Sequence, residues 1–233
     1  MNSTAEKTNN TRQAPTPVEK EPYVKSNLFY DFIKITGFVP TMIFMRPKVI
    51  CADGVNPLKV KGGALISCNH LSYLDPIIVH TVFWNRRISS ISTKEVFGTS
   101  KLRRGFFYGM HAIKVDRESF SMQTFHQVKK RLCDDQLVLI FPEGQINQGN
   151  GVLAFKSGAI LMAHQCNKPV IPVCIIKREK LLDRQVVLVG EPVDVREMCG
   201  NMPTMAKLNE VSDYLHSKEV ELLKKYETMK KQK

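Results

Sequence analysis

No run in this chain is apolar for long enough to cross a bilayer unbroken. The best stretch, residues 28–45, is interrupted by Asp31 and Lys34 and broken by Gly37 and Pro40, whereas a spanning helix needs roughly 20 mostly apolar residues. It reads instead as two short amphipathic segments lying in a membrane interface. A helix packed on the protein's own core is the plainer alternative. A secretory signal peptide is also missing, since residues 1–22 are polar and proline-containing, the composition of a disordered tail. The cysteines, Cys51, Cys68, Cys133, Cys166, Cys174 and Cys199, form no C-x-x-C pair, and none has a histidine at zinc-ligand spacing. That pattern indicates a reducing compartment and no metal site. Nucleotide fingerprints are lacking too. Residues 144–151 contain glycine but fit neither G-x-x-x-x-G-K-[ST] nor the Rossmann pattern. No G-x-S-x-G elbow offers a serine nucleophile, and no helix-turn-helix, zinc-finger or RNP signature supports nucleic-acid binding. The chain has no internal repeat.

What is present is enough for one sizeable core, with 233 residues that are 43% hydrophobic. Against 22 acidic residues stand 34 lysines and arginines, giving a net charge of +12 at pH 7. Such a charge favours an anionic partner without naming it. Short apolar runs alternate with helical patterns. Strands are expected at 48–51, 64–68, 88–92, 111–115, 136–141, 169–176 and 185–189. Helices are expected at about 76–85, about 100–108, from Ser119 or Ser121 to about Cys133, and at 152–165. A C-terminal helix carries Leu208, Val211, Leu215, Leu222 and Tyr226 on one face. Alternation of this kind defines an α/β class with a central, largely parallel or mixed sheet flanked by helices. Three regions follow: a disordered tail over 1–22, a membrane-interface helical segment over 23–46, and a catalytic-sized domain over 47–233.

Two loops carry the chemistry. One is Asn69-His70-Leu71-Ser72-Tyr73-Leu74-Asp75-Pro76 after the run 64–68, and the other is Phe141-Pro142-Glu143-Gly144 after the run 136–140. Loops leaving the carboxyl ends of strands line the ligand crevice of an open α/β sheet. On one continuous helix, His70 and Asp75 would point ~140° apart. They meet only if His70 stands in the loop and Asp75 opens the helix, with Asp75 as N-cap and Pro76 at the first helical position. A carboxylate on one ring nitrogen fixes the tautomer and leaves the other nitrogen as a general base. This is the logic of a triad whose nucleophile belongs to the substrate. The bland reading makes His70 a polar loop residue, Asp75 a helix cap and Pro142-Glu143-Gly144 an ordinary turn. Lys94, Arg103, Arg104 and Arg117 are the candidates for holding an anion. A solvated basic face is the ordinary account of the six basic residues and one acidic residue between Arg86 and Arg104. Arg117 is more pointed, because it closes a strand end expected to open beside His70 and Glu143.

In this order the residues resemble the phospholipid/glycerol acyltransferase family, the group of 1-acylglycerol-3-phosphate acyltransferases. Its N-H-x-x-x-x-D block is matched by Asn69, His70 and Asp75, and its Lys-Glu-Leu block by Lys94-Glu95-Val96. The Asp-Arg strand is matched by residues 111–117, ending in Asp116 and Arg117. Phe-Pro-Glu-Gly is present at 141–144, Phe-Lys-x-Gly-Ala at 155–159, and an apolar strand around Pro172. The resemblance covers about residues 48–191. It implies that His70, oriented by Asp75, deprotonates a lysophospholipid hydroxyl, which attacks the thioester of acyl-CoA or acyl carrier protein with no acyl-enzyme. It further implies that Glu143 and Gly144 position the acceptor, that Lys94 and Arg117 contact phosphate, and that Asn69 and Lys156 belong to the substrate-binding set. The thioester is a co-substrate, and no cofactor or metal is implied. Expected partners are a membrane surface, a lysophospholipid and the acyl donor, with no nucleic acid. The expected location is the cytoplasmic face of a membrane, with monotopic attachment through residues 28–45. One departure matters. The family arginine two positions after Phe-Pro-Glu-Gly is Ile146 here. The run Phe141 to Asn147 is nearer to tafazzin-like transacylases, which move acyl chains between phospholipids. The acceptor alternatives are therefore lysophosphatidic acid or a lysophospholipid with a diester head group. A third reading is a catalytically silent membrane-binding protein of the same fold.

Overall fold

A computed structural model describes residues 27–116, 122–147, 149, 151–178 and 183–232. The expected tail at 1–22, the phosphate contact Arg117 and the capping serines at 119 and 121 lie outside the described residues.

Seven strands form one sheet. They are β1 (Lys48–Cys51), β2 (Ala64–Cys68), β3 (Ile88–Thr93), β4 (Ile113–Val115), β5 (Leu137–Ile140), β6 (Val170–Ile175) and β7 (Val186–Val189). Their spatial order is β1-β7-β6-β2-β5-β3-β4. All neighbours run parallel except β6 and β7. The largely parallel sheet expected from the alternation is therefore present. β2 and β5 are adjacent and parallel, so their carboxyl ends emerge side by side.

Helices cover both faces: α1 (Leu28–Phe44), α2 (Asp75–Val82), α3 (Lys94–Phe97), α4 (Lys101–Gly109), α5 (Met122–Cys133), α6 (Gly158–Cys166), α7 (Val195–Cys199) and α8 (Met205–Lys231). Alternation along the strands sends side chains to two cores. Leu65, Val138 and Val170 meet Val128, Leu132, Met162, Leu208, Val211 and Leu215 of α5, α6 and α8. Ile66, Leu139 and Ile171 meet Ile78 and Val79 of α2, together with Phe83.

Two local expectations are corrected. Residues 28–45 do not form two short segments but one continuous helix with Pro40 inside it. An interior proline costs a helix about 3 kcal/mol, and here the helix continues past it, its first turns fastened to the body. Tyr30 is fully buried. Its hydroxyl meets His80 Nδ1 at 3.0 Å and accepts the Ile88 N–H at 2.9 Å. Arg87 grips Asp31 through two bonds of 2.9 and 2.7 Å, and Lys34 donates to the Arg86 carbonyl. The second correction concerns α2, which begins at Asp75 rather than after it, with Leu74 in the capping position. The Asp75 carboxylate turns back into the preceding loop instead of capping the helix. The helix expected over 152–165 is confined to α6, and the short α7 carried too few residues to leave a periodic signal.

Candidate active site

The two loops expected to carry the chemistry do meet. Asp75 is 1% exposed. Its Oδ2 lies 2.9 Å from His70 Nδ1 and accepts the backbone N–H of Leu71 at 2.6 Å and of Ser72 at 2.7 Å. Its Oδ1 accepts the Ser72 hydroxyl at 2.8 Å. A carboxylate held by so many donors stays in place, and it fixes Nδ1 of the imidazole as the protonated nitrogen. His70 Nε2 is left for the cavity that His70 lines. The flat face of the ring stacks on Phe141, with centroids 4.0 Å apart and planes at 19°.

The second loop is stitched to the first. The Asn147 N–H donates to the His70 carbonyl at 2.6 Å. The Asn147 side chain closes its own loop on Gly151 O and Gly149 N. Gly144 adopts φ +70°, and a Cβ there would stand 3.2 Å from Lys156 Cε and Nζ. The left-handed backbone favours glycine here, while Lys156, exposed and flexible, could give way to a Cβ. Glu143 is 6% exposed, and the backbone N–H groups of Leu153 and His70 lie near its carboxyl without reaching good hydrogen-bond geometry. Burial pushes its pKa up to about 7, although the backbone N–H groups of Leu153 and His70 pull it down and the Asp75 charge raises it further. Glu143 thus titrates where the site would work.

The remaining expected residues fall as follows. Lys156 is exposed, lines the cavity and lies across Gly144. Its N–H donates to the Pro142 carbonyl at 3.0 Å. Lys94 is paired with Asp116 at 2.8 Å, so reaching a phosphate requires breaking that pair. Asn69 is 2% exposed. Its amide donates to the Ile175 carbonyl at 3.0 Å and accepts the Ile175 N–H at 2.7 Å. Asn69 therefore pins the exit of β2 to β6. Arg103 lines the cavity and packs against Gly98.

One residue escaped the sequence reading. Glu219 of α8 is fully buried and accepts the Ser67 hydroxyl at 2.9 Å. The available signal was a carboxylate standing between Leu215 and Leu222 on the helix face chosen for apolar side chains.

The cavity holds about 1030 Å³. From His70, Gly144 and Lys156 it runs along β3 past Ser90 and Ile91 to His80, Trp84 and Lys34. It is long and mostly apolar, with polar groups gathered at His70 and again at His80. Among the described residues no three His, Cys, Asp or Glu side chains gather as a metal site. An imidazole held by a carboxylate beside a mostly apolar cavity suits proton-transfer chemistry on a lipid-like group. Residues 49–176, more than half of the chain, match the Acyltransferase family, and the chain belongs to that family.

Relatives agree. A 1-acyl-sn-glycerol-3-phosphate acyltransferase of Bacillus subtilis is 24% identical over 74% of this chain and 87% of its own length. A protein of the same name from Haemophilus influenzae is 41% identical over a shorter stretch, 36% of this chain and 39% of its own. The crystal structure of the LPA acyltransferase PlsC from Thermotoga maritima superposes with a TM-score of 0.59 over 84% of this chain and 79% of its own, at 18% identity. That likeness establishes the fold.

Proposed function

We propose that this acyltransferase moves an acyl chain from a thioester, acyl-CoA or acyl carrier protein, to the free hydroxyl of lysophosphatidic acid, giving phosphatidic acid. The observation that carries the reading is the imidazole of His70, backed by Asp75 at 2.9 Å and presented to the cavity. Nε2 takes the hydroxyl proton as the oxygen attacks the thioester carbonyl. The C–S bond then breaks, and the departing thiolate takes the proton back from the imidazolium, so His70 ends as it began. Asp75 stabilises the imidazolium between those transfers. Glu143 and Gly144 position the acceptor, Lys156 meets its phosphate, and the apolar cavity takes the acyl chain. Relatives that are 1-acyl-sn-glycerol-3-phosphate acyltransferases support the acceptor.

A second acceptor class has its own observation. Ile146 lines the cavity where the family arginine is expected, which favours a diester head group of lower charge. Purified protein should be offered lysophosphatidic acid, lysophosphatidylglycerol and lysophosphatidylcholine with both donors, alongside His70→Ala. Transfer to lysophosphatidic acid that falls about 10²–10⁴-fold in His70→Ala supports the first reading. Turnover confined to diester acceptors overturns the phosphatidate claim, and no thioester-dependent turnover overturns the enzyme claim for these lipids.

Attachment to the membrane is assigned to α1. Phe32, Ile35, Val39, Ile43 and Phe44 are 58–73% exposed, while no helix among the described residues is long and apolar enough to cross a bilayer. An interfacial helix of this kind would hold the enzyme on the cytoplasmic face from one side only. Co-sedimentation with anionic vesicles should fall sharply in Phe32→Asp/Ile35→Asp. Undiminished binding would move the docking surface elsewhere.

A further inference from the structure

The C-terminal helix α8 reaches both loops of the site from beneath. Its residues 212, 216 and 219 share one face, spaced by four and three positions. The Ser212 hydroxyl donates to the Phe155 carbonyl at 3.5 Å, and His216 Nε2 meets the Val152 carbonyl at 3.1 Å. Both carbonyls belong to the segment that follows the Glu143 loop. Glu219 reaches the strand that feeds the other loop, where its Oε1 accepts the hydroxyl of Ser67 in β2 at 2.9 Å, three residues before His70. Its Oε2 is buried with no partner. Around it lie apolar side chains: Leu215 toward one core, and Leu222 and Leu188 toward another.

We propose that Glu219 is a positioning residue of the reaction. Through Ser67 it sets the exit of β2, and so the seat of His70, relative to the Glu143 loop that the same helix face supports. This rests on the acyltransfer reading of the site, and it adds a residue that neither loop contains. Among the described residues this carboxyl has no ion-pair partner, and its side-chain hydrogen bond goes to the exit of β2, which suits a positional task.

The surroundings disfavour the charged form of this carboxyl. Burial pushes it well above the usual carboxylate range and the charge of Glu143 adds to that, while Ser67 and the Asn69 backbone N–H only partly compensate. Cys68 of the strand exit and Cys174 of β6 flank it, and burial pushes both thiols up. β7 contributes only Val186, Val187, Leu188 and Val189. Toward α6 and α7, His164 is turned to the Gly200 carbonyl. No cation among these groups offsets a charge on Glu219.

Three variants test the proposal: Glu219→Gln, which keeps an acceptor for Ser67 in the same shape, Glu219→Leu, which fills the volume without one, and Ser67→Ala. Expected kcat falls about tenfold or more in Glu219→Leu and Ser67→Ala, with KM for both substrates within about twofold, and stays within about threefold of wild type in Glu219→Gln. A readout free of turnover is the ¹⁵N resonances of the His70 ring, which should shift in Glu219→Leu and not in Glu219→Gln. Thermal unfolding adds the sign of the proton linkage. A carboxyl raised in the fold loses stability as pH climbs. The midpoint of Glu219→Gln should therefore gain on wild type as pH rises above the ordinary carboxylate range. Wild-type kcat and unmoved His70 resonances in Glu219→Leu would overturn the proposal. If the wild type transfers no acyl group, the acyltransfer reading fails, while the ring resonances still decide whether Glu219 seats His70.

Discussion

Two histidines face the same cavity from opposite ends of α2, and their surroundings could hardly differ more. His70 has a carboxylate behind Nδ1 at 2.9 Å and a nitrogen to spare. His80 has both nitrogens engaged, Nδ1 with the Tyr30 hydroxyl at 3.0 Å and Nε2 with the Ser90 hydroxyl at 3.1 Å. Burial pushes His80 down to about 3, and the charges of Lys34 and His111 push the same way. It stays neutral and lines the cavity. The comparison teaches that an imidazole in a cavity is a base only when a carboxylate can hold the imidazolium and one nitrogen stays open to the reactant. His80 meets neither condition.

The comparison breaks most visibly in turnover. His70→Ala should cost about 10²–10⁴-fold in kcat, and His80→Gln less than tenfold, because only the first removes the base. Equal losses would mean that His80 takes part in the chemistry. Glu143 sharpens the contrast at the mouth. Its carboxylate form is the stronger hydrogen-bond partner for the hydroxyl of the lysolipid, and burial pushes its pKa up to about 7. Transfer should therefore gain a rising component as pH passes through about 7. Glu143→Gln should lose that component along with about tenfold in rate, and an unchanged pH profile would remove Glu143 from the acceptor site. The smallest effect belongs to stability in acid. His80 is depressed in the fold, so its contribution is present above the ordinary histidine pKa of about 6.5 and is lost as pH falls toward about 3. Thermal scans from pH 7 to pH 4 should show His80→Gln losing less than wild type, and parallel losses would show that His80 is not held neutral.

Much of this was legible in the sequence because it was local. Short apolar runs marked the strands, and the loops after 64–68 and 136–140 bring His70, Asp75 and Glu143 together. Other features were hidden because distant residues decide them. The helical course of residues 28–44 through Pro40 depends on Tyr30, Lys34 and Asp31 finding partners more than 45 positions away. Asn69 looked like part of the reacting motif, yet its amide is bonded to Ile175, which is 106 positions on. The Asp75 carboxylate follows the donors of its own loop rather than the helix that it opens. Lys94 looked like a free cation until the fold set Asp116 beside it.

The central claim is that His70 strips the acceptor of its proton, and it can be tested by giving the enzyme an acceptor that needs no base. A lysophospholipid analogue with a thiol in place of the reacting hydroxyl ionises near pH 8.5, so at pH 9 the nucleophile arrives already deprotonated. The loss caused by His70→Ala should then shrink at least tenfold relative to the loss seen with the natural hydroxyl. An equal loss with both acceptors would show that His70 does something other than remove that proton.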